Sequence, residues 1–226
     1  MNTASIIQDE KHSTGVAGIM VNEKTGDNAI NIVPGAAGTL ISDDIDRNLN
    51  FIEKAQIFLT QLETPYDVTR YALKKAKEKG LVTILNPAPA CEIEDDDFQL
   101  IDFFTPNETE AEFYLNKKIE TEKDIKSASE QFLKKGIKNV VMTLGEKGCY
   151  FANEKENFFI NAFKLKEPVL DTTGAGDAFN GALAVGLSKD LDLEEALKFA
   201  NKVAAISTTK QGAAASMPSL EDLNNY

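Results

Sequence analysis

The stretch of sequence that decides the fold is Asp171-Thr-Thr-Gly-Ala-Gly-Asp177-Ala-Phe-Asn-Gly-Ala-Leu-Ala-Val185. Small residues and glycines lead into a long apolar run, which predicts a loop that feeds a helix. The first turn of a helix leaves backbone N–H groups unpaired and carries the positive end of the helix dipole. Gly174 and Gly176 would let an anion approach those donors closely.

Asp177 then lies beside this anion site, where a carboxylate is costly unless it has a chemical task. Phosphoryl transfer to a hydroxyl uses both a bound phosphate and a carboxylate base. A Gly-Ala-Gly helix start is also typical of a plain packing turn, but Asp171 and Asn180-Gly181 favour the functional interpretation. Phe179 stands where a dinucleotide fingerprint needs its third glycine, and no Walker sequence occurs in the chain.

Composition sets limits on the class of protein. The chain has 226 residues, 42% of them hydrophobic, enough for one sizeable α/β domain. Its formal net charge is -12 and no basic cluster stands out, so we expect neither nucleic acid nor an anionic membrane as a partner. A need for solubility also explains an acidic surface by itself.

The scarcity of cysteine and histidine narrows the chemistry further. Cys91 and Cys149 lie far apart and outside any metal-ligand spacing, which is typical of a reducing cytoplasm. His12 is the single histidine, which excludes paired-histidine metal sites, and its polar surroundings predict an exposed residue. We expect no signal peptide, and no apolar run approaches the roughly 18 residues of a membrane span.

The order of elements along the chain predicts an α/β fold. Residues 15–21 and 28–33 are short apolar stretches around the turn-rich spacer 22–27, which predicts a β-hairpin. Ser42 is expected to cap a helix with Ile45, Leu49 and Ile52 on one face, and Thr64-Pro65 to begin another that stops at Gly80. We expect strands at 56–62, 81–85, 101–105, 139–144, 149–152 and 158–163, and closing helices at about 174–188 and 192–209.

Strands that alternate with helices predict a mostly parallel sheet covered on both faces. Ligands of such sheets bind beyond the carboxyl ends of the strands. Polar residues follow four of the predicted strands: Glu63, Asn86, Asn107 and the loop 143–148.

Six further segments, taken with the 171–185 stretch, resemble the ribokinase family of sugar kinases, the PfkB-type carbohydrate kinases. They occur in the order expected for that family along essentially the whole chain. They are Ser13-Thr-Gly-Val-Ala17, Gln61-Leu-Glu-Thr-Pro65, Leu85-Asn-Pro-Ala-Pro-Ala90, Thr105-Pro-Asn-Glu-Thr-Glu-Ala111, Thr143-Leu-Gly-Glu-Lys-Gly148 and Gly212-Ala-Ala-Ala-Ser-Met-Pro218. The resemblance implies a ribokinase-like, three-layer α/β/α domain over residues 1–226, with a small β lid at 13–35.

The resemblance also implies a reaction, the ATP-dependent phosphorylation of D-ribose to ribose 5-phosphate. Asp177 would take the proton from the primary hydroxyl of the sugar, and the backbone of Gly174, Ala175 and Gly176 would form the anion hole. Glu63 would hold sugar hydroxyls, although a carboxylate before Thr64-Pro65 is also typical of a helix-dipole acid.

The same resemblance implies nucleotide and metal sites. Asn107 and Glu110 would bind the ATP phosphates and water-bound Mg²⁺. The same two residues are also typical of an N-cap followed by a first-turn acid, and the two roles are compatible. The ATP loop would be Thr143, Leu144, Gly145, Glu146, Lys147 and Gly148, with Gly176 at the phosphates. Asn201 would lie near the adenine, or be an ordinary polar helix residue. An activating K⁺ would be surrounded, mostly through carbonyls, by Asp171, Thr173, Ser207, Lys210, Gly212 and Ser216.

Compared with the family pattern, this sequence begins late. The opening strands, an early sugar-binding aspartate and a Gly-Gly-Lys-Gly-Ala-Asn loop have no counterpart in residues 1–60, and Gly35-Ala-Ala-Gly38 is too short to replace that loop. We therefore expect an N-terminally truncated chain with an exposed sheet edge. Such a chain would have little activity alone, and the family homodimer through the lid would be weakened.

Three alternatives in function stay open from the sequence. The first is ribose phosphorylation, which Glu63 in its Gln-Leu-Glu-Thr-Pro context favours. The second is a kinase for another sugar, such as fructose or a keto-deoxy sugar. The third is an inactive nucleotide-binding remnant or a regulatory subunit that needs a partner. Binding of an ATP analogue without turnover would favour the third.

Overall fold

The computed structural model describes residues 2–21 and 28–226. Its centre is a six-stranded sheet in the order β3-β4-β5-β6-β7-β8, in which β3 to β6 run parallel and β7 and β8 are antiparallel additions. The strands are β3 (Ile57–Thr60), β4 (Val82–Leu85), β5 (Phe103–Phe104), β6 (Asn139–Thr143), β7 (Cys149–Asn153) and β8 (Asn157–Ile160). A mostly parallel sheet is confirmed, and β3 forms one edge of it.

Helices cover both faces of the sheet, which confirms the three-layer α/β/α prediction. They are α1 (Ser42–Asp46), α2 (Leu49–Ile52), α3 (Tyr66–Glu78), α4 (Glu108–Leu115), α5 (Glu122–Lys134), α6 (Ala175–Ser188), α7 (Leu193–Ser207) and α8 (Leu220–Asn224). On one face α4 and α5 pack Ala111 and Phe132 against the sheet, and on the other α6 and α7 pack Leu183 and Leu197. Over residues 2–21 and 28–226, none of these helices is long and apolar enough to cross a membrane.

The local sequence explains why these elements form. In β4, Ile84 and Leu85 point to opposite faces and are both fully buried, as expected for a central parallel strand. In α5, Ile125, Ala128 and Phe132 recur at helical spacing on one buried face. Such apolar faces bury against the sheet and supply most of the driving force for folding.

A two-stranded antiparallel hairpin, β1 (Thr14–Val21) with β2 (Asn28–Gly35), stands apart from the main sheet. The predicted hairpin is confirmed, while its predicted turn at 22–27 lies outside the described residues. Val16 and Met20 are each 64% exposed and Val33 is 57% exposed, so both strands present apolar side chains to solvent. The division into a 1–226 domain and a 13–35 lid stays a prediction.

Two predicted helix starts differ from the structure. The single helix expected from Ser42 through Ile52 is two short ones, since the Asn48 side chain donates to the Asp44 carbonyl at 2.8 Å and competes with the helical pattern. Ile41, not Ser42, is the first N-cap residue.

Thr64 does not cap α3. Its hydroxyl shares a 2.8 Å hydrogen bond with the hydroxyl of Thr69, and Pro65 is the N-cap residue without a side-chain cap. The predicted end of α3 is confirmed, because Gly80 follows the C-cap with a φ of 77°.

The parallel strands bring their carboxyl ends to one edge of the sheet. The segments beginning at Gln61, Asn86, Thr105 and Leu144 directly follow β3, β4, β5 and β6. The fold therefore gathers most of the predicted site residues along this edge.

Candidate active site

The first turn of α6 is built on Gly174. This residue is the N-cap with a φ of 78°, and a Cβ there would lie 3.1 Å from Met217 Cε and 3.3 Å from Ala213 Cα. The positive φ favours glycine here, and a Cβ would also crowd these two neighbours. The Ala175 N–H donates to the Thr172 carbonyl at 3.2 Å, and the first helical bond runs from Ala178 N–H to the Gly174 carbonyl.

The N–H groups of Gly176 and Asp177 have no acceptor within the described part of the chain. A Cβ at Gly176 would meet nothing within 4 Å, so the space beside this turn is open. Unpaired N–H groups at the positive end of a helix dipole suit an anion. The geometry therefore fits a phosphate or a developing oxyanion at this turn.

The carboxylate of Asp177 is exposed on the same turn and contacts the end of β3. Its Oδ1 accepts a hydrogen bond from Gln61 Nε2 at 2.8 Å. A cavity of about 250 Å³ lies beside this contact, lined by Leu59, Thr60, Gln61, Asp177 and Asn180. A small polar substrate group can therefore reach Asp177 next to the open helix turn.

A buried network ties this helix turn to the sheet. Asn180 Nδ2 donates to the Gly176 carbonyl at 2.9 Å, and the Thr105 hydroxyl donates to Asn180 Oδ1 at 2.7 Å. Asn86 Nδ2 donates to the Thr105 carbonyl at 3.0 Å. Because these side chains are buried, the network holds the first turn of α6 in a defined position over the ends of β4 and β5.

Glu63 is exposed in the loop between β3 and α3. The same loop carries Gln61, and its Leu62 N–H donates to the Ala88 carbonyl at 3.0 Å in the loop after β4. Glu63 is thus two residues from the side chain that contacts Asp177. Its sugar-binding role and its role as a helix-dipole acid both stay predictions.

Asn107 and Glu110 form a capping box at the start of α4. Asn107 Oδ1 accepts from the Glu110 N–H at 2.8 Å, and the two Glu110 carboxylate oxygens accept from the backbone N–H and the side-chain Nδ2 of Asn107 at 2.9 and 3.1 Å. Burial raises the pKa of Glu110 to about 7, although the backbone hydrogen bond from Asn107 acts the other way. Glu110 is half-buried, and a carboxyl with a raised pKa would gain from a nearby cation, which fits Mg²⁺.

The loop after β6 meets the start of α4. Asn107 pairs with Thr143 in an isolated parallel bridge, and the Thr143 N–H donates to the Pro106 carbonyl at 2.9 Å. The structure therefore brings Asn107 together with the predicted ATP loop.

That loop is a tight turn held by its own backbone. The Leu144 N–H donates to the Gly148 carbonyl at 2.8 Å, and Gly145, Glu146 and Lys147 form one 3-10 turn. Gly148 has a φ of 96°, and a Cβ there would lie 2.0 Å from the Ile160 carbonyl oxygen. Leu144 is buried, while Glu146 and Lys147 are exposed and free to face a ligand.

Asn201 lies on α7 with a side chain that is 8% exposed. Its Nδ2 contacts Cys149 Sγ at 3.5 Å, at the start of the strand that leaves the 143–148 loop. Burial raises the pKa of Cys149 to about 12, so its thiol stays protonated at neutral pH. The structure puts Asn201 behind the predicted ATP loop, and its contact with adenine stays a prediction.

Asp171 joins the two segments that carry the predicted K⁺ ligands. Its Oδ1 accepts from the Thr173 N–H and its Oδ2 from the Gly212 N–H, each at 2.9 Å. These hydrogen bonds, the one from Gly212 foremost, hold the pKa of Asp171 below its usual range. A fixed negative charge between the two segments fits a cation site.

Three of the other predicted K⁺ ligands use their side chains elsewhere. The hydroxyls of Ser207 and Ser216 donate to the carbonyls of Ala204 and Ala213, and Lys210 Nζ pairs with Asp222 at 3.1 Å. Any part these three residues play in binding K⁺ would therefore come from their backbone carbonyls.

The site motifs belong to a family match that spans nearly the whole chain. The family described as pfkB family carbohydrate kinase matches residues 1–220. The chain belongs to the pfkB family of carbohydrate kinases. The reaction class of that family is the transfer of a phosphoryl group to a carbohydrate.

Relatives within the pfkB family are similar along the same length. The chain is 39% identical to ribokinase of Staphylococcus aureus over 225 residues, 99% of this chain and 73% of that protein. It is 36% identical to deoxyribokinase of Salmonella typhi over 227 residues, 100% of this chain and 73% of that protein. The solved structure of Arabidopsis thaliana ribokinase complexed with ribose and ATP has a TM-score of 0.84 and 31% identity, covering 95% of this chain and 69% of that one.

Sequence reasoning gave no role to two residues of this pfkB-family site. Gln61 was part of a recognised segment, yet only the structure shows that it contacts Asp177. Thr105 was the end of a predicted strand, yet its hydroxyl anchors Asn180. The sequence feature that could have identified both residues is their position at the carboxyl ends of β3 and β5, where ligand-binding residues of such sheets lie.

Proposed function

We propose that the chain transfers the terminal phosphoryl group of ATP to the primary hydroxyl of D-ribose, giving ribose 5-phosphate. The observation that carries this proposal is the Asp177 carboxylate on the same helix turn as the unpaired N–H groups of Gly176 and Asp177. A base and an anion hole within one turn meet the two needs of phosphoryl transfer to an alcohol.

In this proposal Asp177 accepts the hydroxyl proton as the oxygen attacks phosphorus. The unpaired N–H groups of Gly176 and Asp177, on the turn that Gly174 begins, take the charge that develops on the phosphoryl oxygens. The Ala175 N–H would join them only by leaving the Thr172 carbonyl. Glu63 holds sugar hydroxyls from the loop after β3. The hydrogen-bond network through Asn180 supports this arrangement, because it fixes the turn that must carry both functions.

The nucleotide would lie along the edge formed by Asn107 and residues 143–148, with Asn201 toward the adenine. Glu110 would hold Mg²⁺ through water, and Mg²⁺ would neutralise charge on the phosphates. K⁺ would lie between the segments that Asp171 joins. The Arabidopsis relative with ribose and ATP supports both substrates for this site.

The proposal also covers the oligomeric state, the cellular location and the partners of the protein. The exposed apolar side chains of β1 and β2 support a homodimer formed through this hairpin. Both cysteines, Cys91 and Cys149, are free, which supports a cytoplasmic location. We propose small-molecule substrates and no nucleic-acid or membrane partner, since the net charge of -12 disfavours both.

The second candidate substrate is 2-deoxyribose, because the Salmonella relative named deoxyribokinase is 36% identical over the full chain. A panel of sugars separates the candidates. Purified chain is incubated with ATP, Mg²⁺ and K⁺ and with ribose, 2-deoxyribose, fructose or a keto-deoxy sugar, and sugar phosphate is measured by mass spectrometry. We expect the highest kcat/KM with ribose, and reactions without sugar give the background.

A larger kcat/KM with any of the other three sugars than with ribose would refute the substrate assignment. The expectation of weak activity for this polypeptide stays a prediction, and the same panel measures it. If an ATP analogue binds and no sugar is phosphorylated, the chain is a nucleotide-binding protein and the proposed reaction is wrong for it.

A further inference from the structure

Among the described residues, the only side chain that hydrogen-bonds the Asp177 carboxylate is Gln61. Its Nε2 lies 2.8 Å from Asp177 Oδ1. A carboxamide N–H donates and cannot accept a proton, whereas an ionised carboxylate only accepts. The contact uses one acceptor site of Oδ1 and leaves Oδ2 without a side-chain hydrogen bond among the described residues, so Oδ2 is the more open oxygen for a substrate proton.

Both partners of this contact are held from separate parts of the fold. Thr60, just before Gln61, pairs with Leu85 in the sheet, and the Leu62 N–H just after it donates to the Ala88 carbonyl at 3.0 Å. Asp177 lies on α6, whose first turn is fixed through Asn180. The contact thus joins two anchored elements across 116 positions of sequence.

We propose that Gln61 is a positioning residue that orients the Asp177 carboxylate, with one oxygen on the amide and the other presented to the substrate hydroxyl. This inference rests on the proposed function of Asp177 as the base. Correct orientation of a base matters because small misplacements of reacting groups cost large factors in rate.

A packing role for Gln61 predicts a different order of variants from a positioning role. Gln61→Glu keeps the size and shape of the side chain but sets a second carboxylate against Asp177, whereas Gln61→Ala only removes the amide. Positioning predicts a fall in kcat of about tenfold for Gln61→Ala and about a hundredfold for Gln61→Glu, with KM for ATP unchanged. Packing predicts that Gln61→Glu resembles the wild type and Gln61→Ala is the worse of the two.

The kinetic test compares these variants with the wild-type chain and with Gln56→Ala, an exposed glutamine just before the same strand. Gln56→Ala should keep the wild-type kcat. In the Asp177→Asn background Gln61→Ala should cause no further loss, since it acts through Asp177. A kcat for Gln61→Glu within twofold of the wild type would overturn the proposal, as would full additivity of the two changes.

A second measurement does not depend on turnover. The side-chain amide resonances of Gln61 in a ¹⁵N-labelled chain are assigned by their loss in Gln61→Ala and compared between the wild type and Asp177→Asn. A clear shift on changing Asp177 supports the contact, and unchanged resonances overturn it. If the wild-type chain phosphorylates no sugar, the proposed function fails, and the resonances still decide whether Gln61 holds Asp177.

Discussion

Replacing Glu110 with glutamine should remove a pH-dependent loss of stability from the fold. Glutamine is nearly isosteric and can still accept from the Asn107 N–H, so the capping box survives. The change removes the ability of residue 110 to ionise, and with it one side-chain hydrogen bond, because the glutamine Nε2 cannot accept from Asn107 Nδ2. Any difference between the two proteins that depends on pH therefore reports the Glu110 carboxyl.

The size of the effect follows from the pKa of Glu110, which burial raises from 4.5 to about 7. When the pKa of a carboxyl is higher in the folded state than in the unfolded state, its stabilising contribution is complete only at pH values below the unfolded-state pKa. That contribution is lost as the pH rises from about 4.5 through about 7. A difference of one pKa unit corresponds to about 1.4 kcal/mol. After a reduction for partial exposure, the free energy of unfolding should fall by about 2–3 kcal/mol by pH 8.

Urea unfolding at pH 5 and pH 8, without nucleotide or Mg²⁺, tests this prediction. At pH 5 the two proteins should agree within about 0.5 kcal/mol in free energy of unfolding. At pH 8 Glu110→Gln should be more stable by about 2 kcal/mol. Glu108→Gln, the same change in the same helical turn, keeps Glu110. Its free energy of unfolding should therefore fall between pH 5 and pH 8 as much as that of the wild type. An equal fall in wild type and Glu110→Gln would refute the reasoning.

Three other changes test separate parts of the site. Asn180→Ala removes both network hydrogen bonds and should lower the free energy of unfolding, measured in urea, by about 2–3 kcal/mol. Combined with Thr105→Val, the loss should be smaller than the sum of the two single losses. A loss below about 0.5 kcal/mol for Asn180→Ala would contradict the network. Gly148→Ala has no space for its Cβ and should lower the free energy of unfolding by more than about 3 kcal/mol. Gly145→Ala, also at positive φ but in open space, should lower it by about 1–2 kcal/mol. Equal losses in the two variants would contradict the steric argument. Asp171→Asn should bring the ratio of kinase rates in K⁺ and in tetramethylammonium close to one, and an unchanged ratio would place the cation elsewhere.

The sequence predicted the elements whose signals are local. Apolar runs located the strands, and Gly80 marked a helix end because a left-handed C-terminal residue favours glycine. The break at Asn48 was missed, since it depends on one side chain competing for the Asp44 carbonyl. Thr64 was wrongly expected to cap α3, because its hydroxyl bonds to Thr69 instead.

The candidate site was predictable in its residue types and not in its contacts. The glycines at the start of α6 and the carboxylate of Asp177 are visible in one continuous stretch, so their joint role could be argued from spacing. The contact between Gln61 and Asp177 joins residues 116 positions apart in sequence, and only the packing of α6 against β3 creates it. The raised pKa of Glu110 likewise depends on burial by surrounding elements, which spacing does not reveal.

The central claim is that Asp177 is the base in phosphoryl transfer from ATP to a sugar, and Asp177→Asn tests it directly. Formation of ribose 5-phosphate from ATP and ribose is measured for the wild type, for Asp177→Asn and for Asp67→Asn, the same change in the exposed first turn of α3. We predict a rate lower by about 100- to 10,000-fold for Asp177→Asn alone, with binding of an ATP analogue retained. Equal rates of ribose 5-phosphate formation in the wild type and Asp177→Asn would contradict the account.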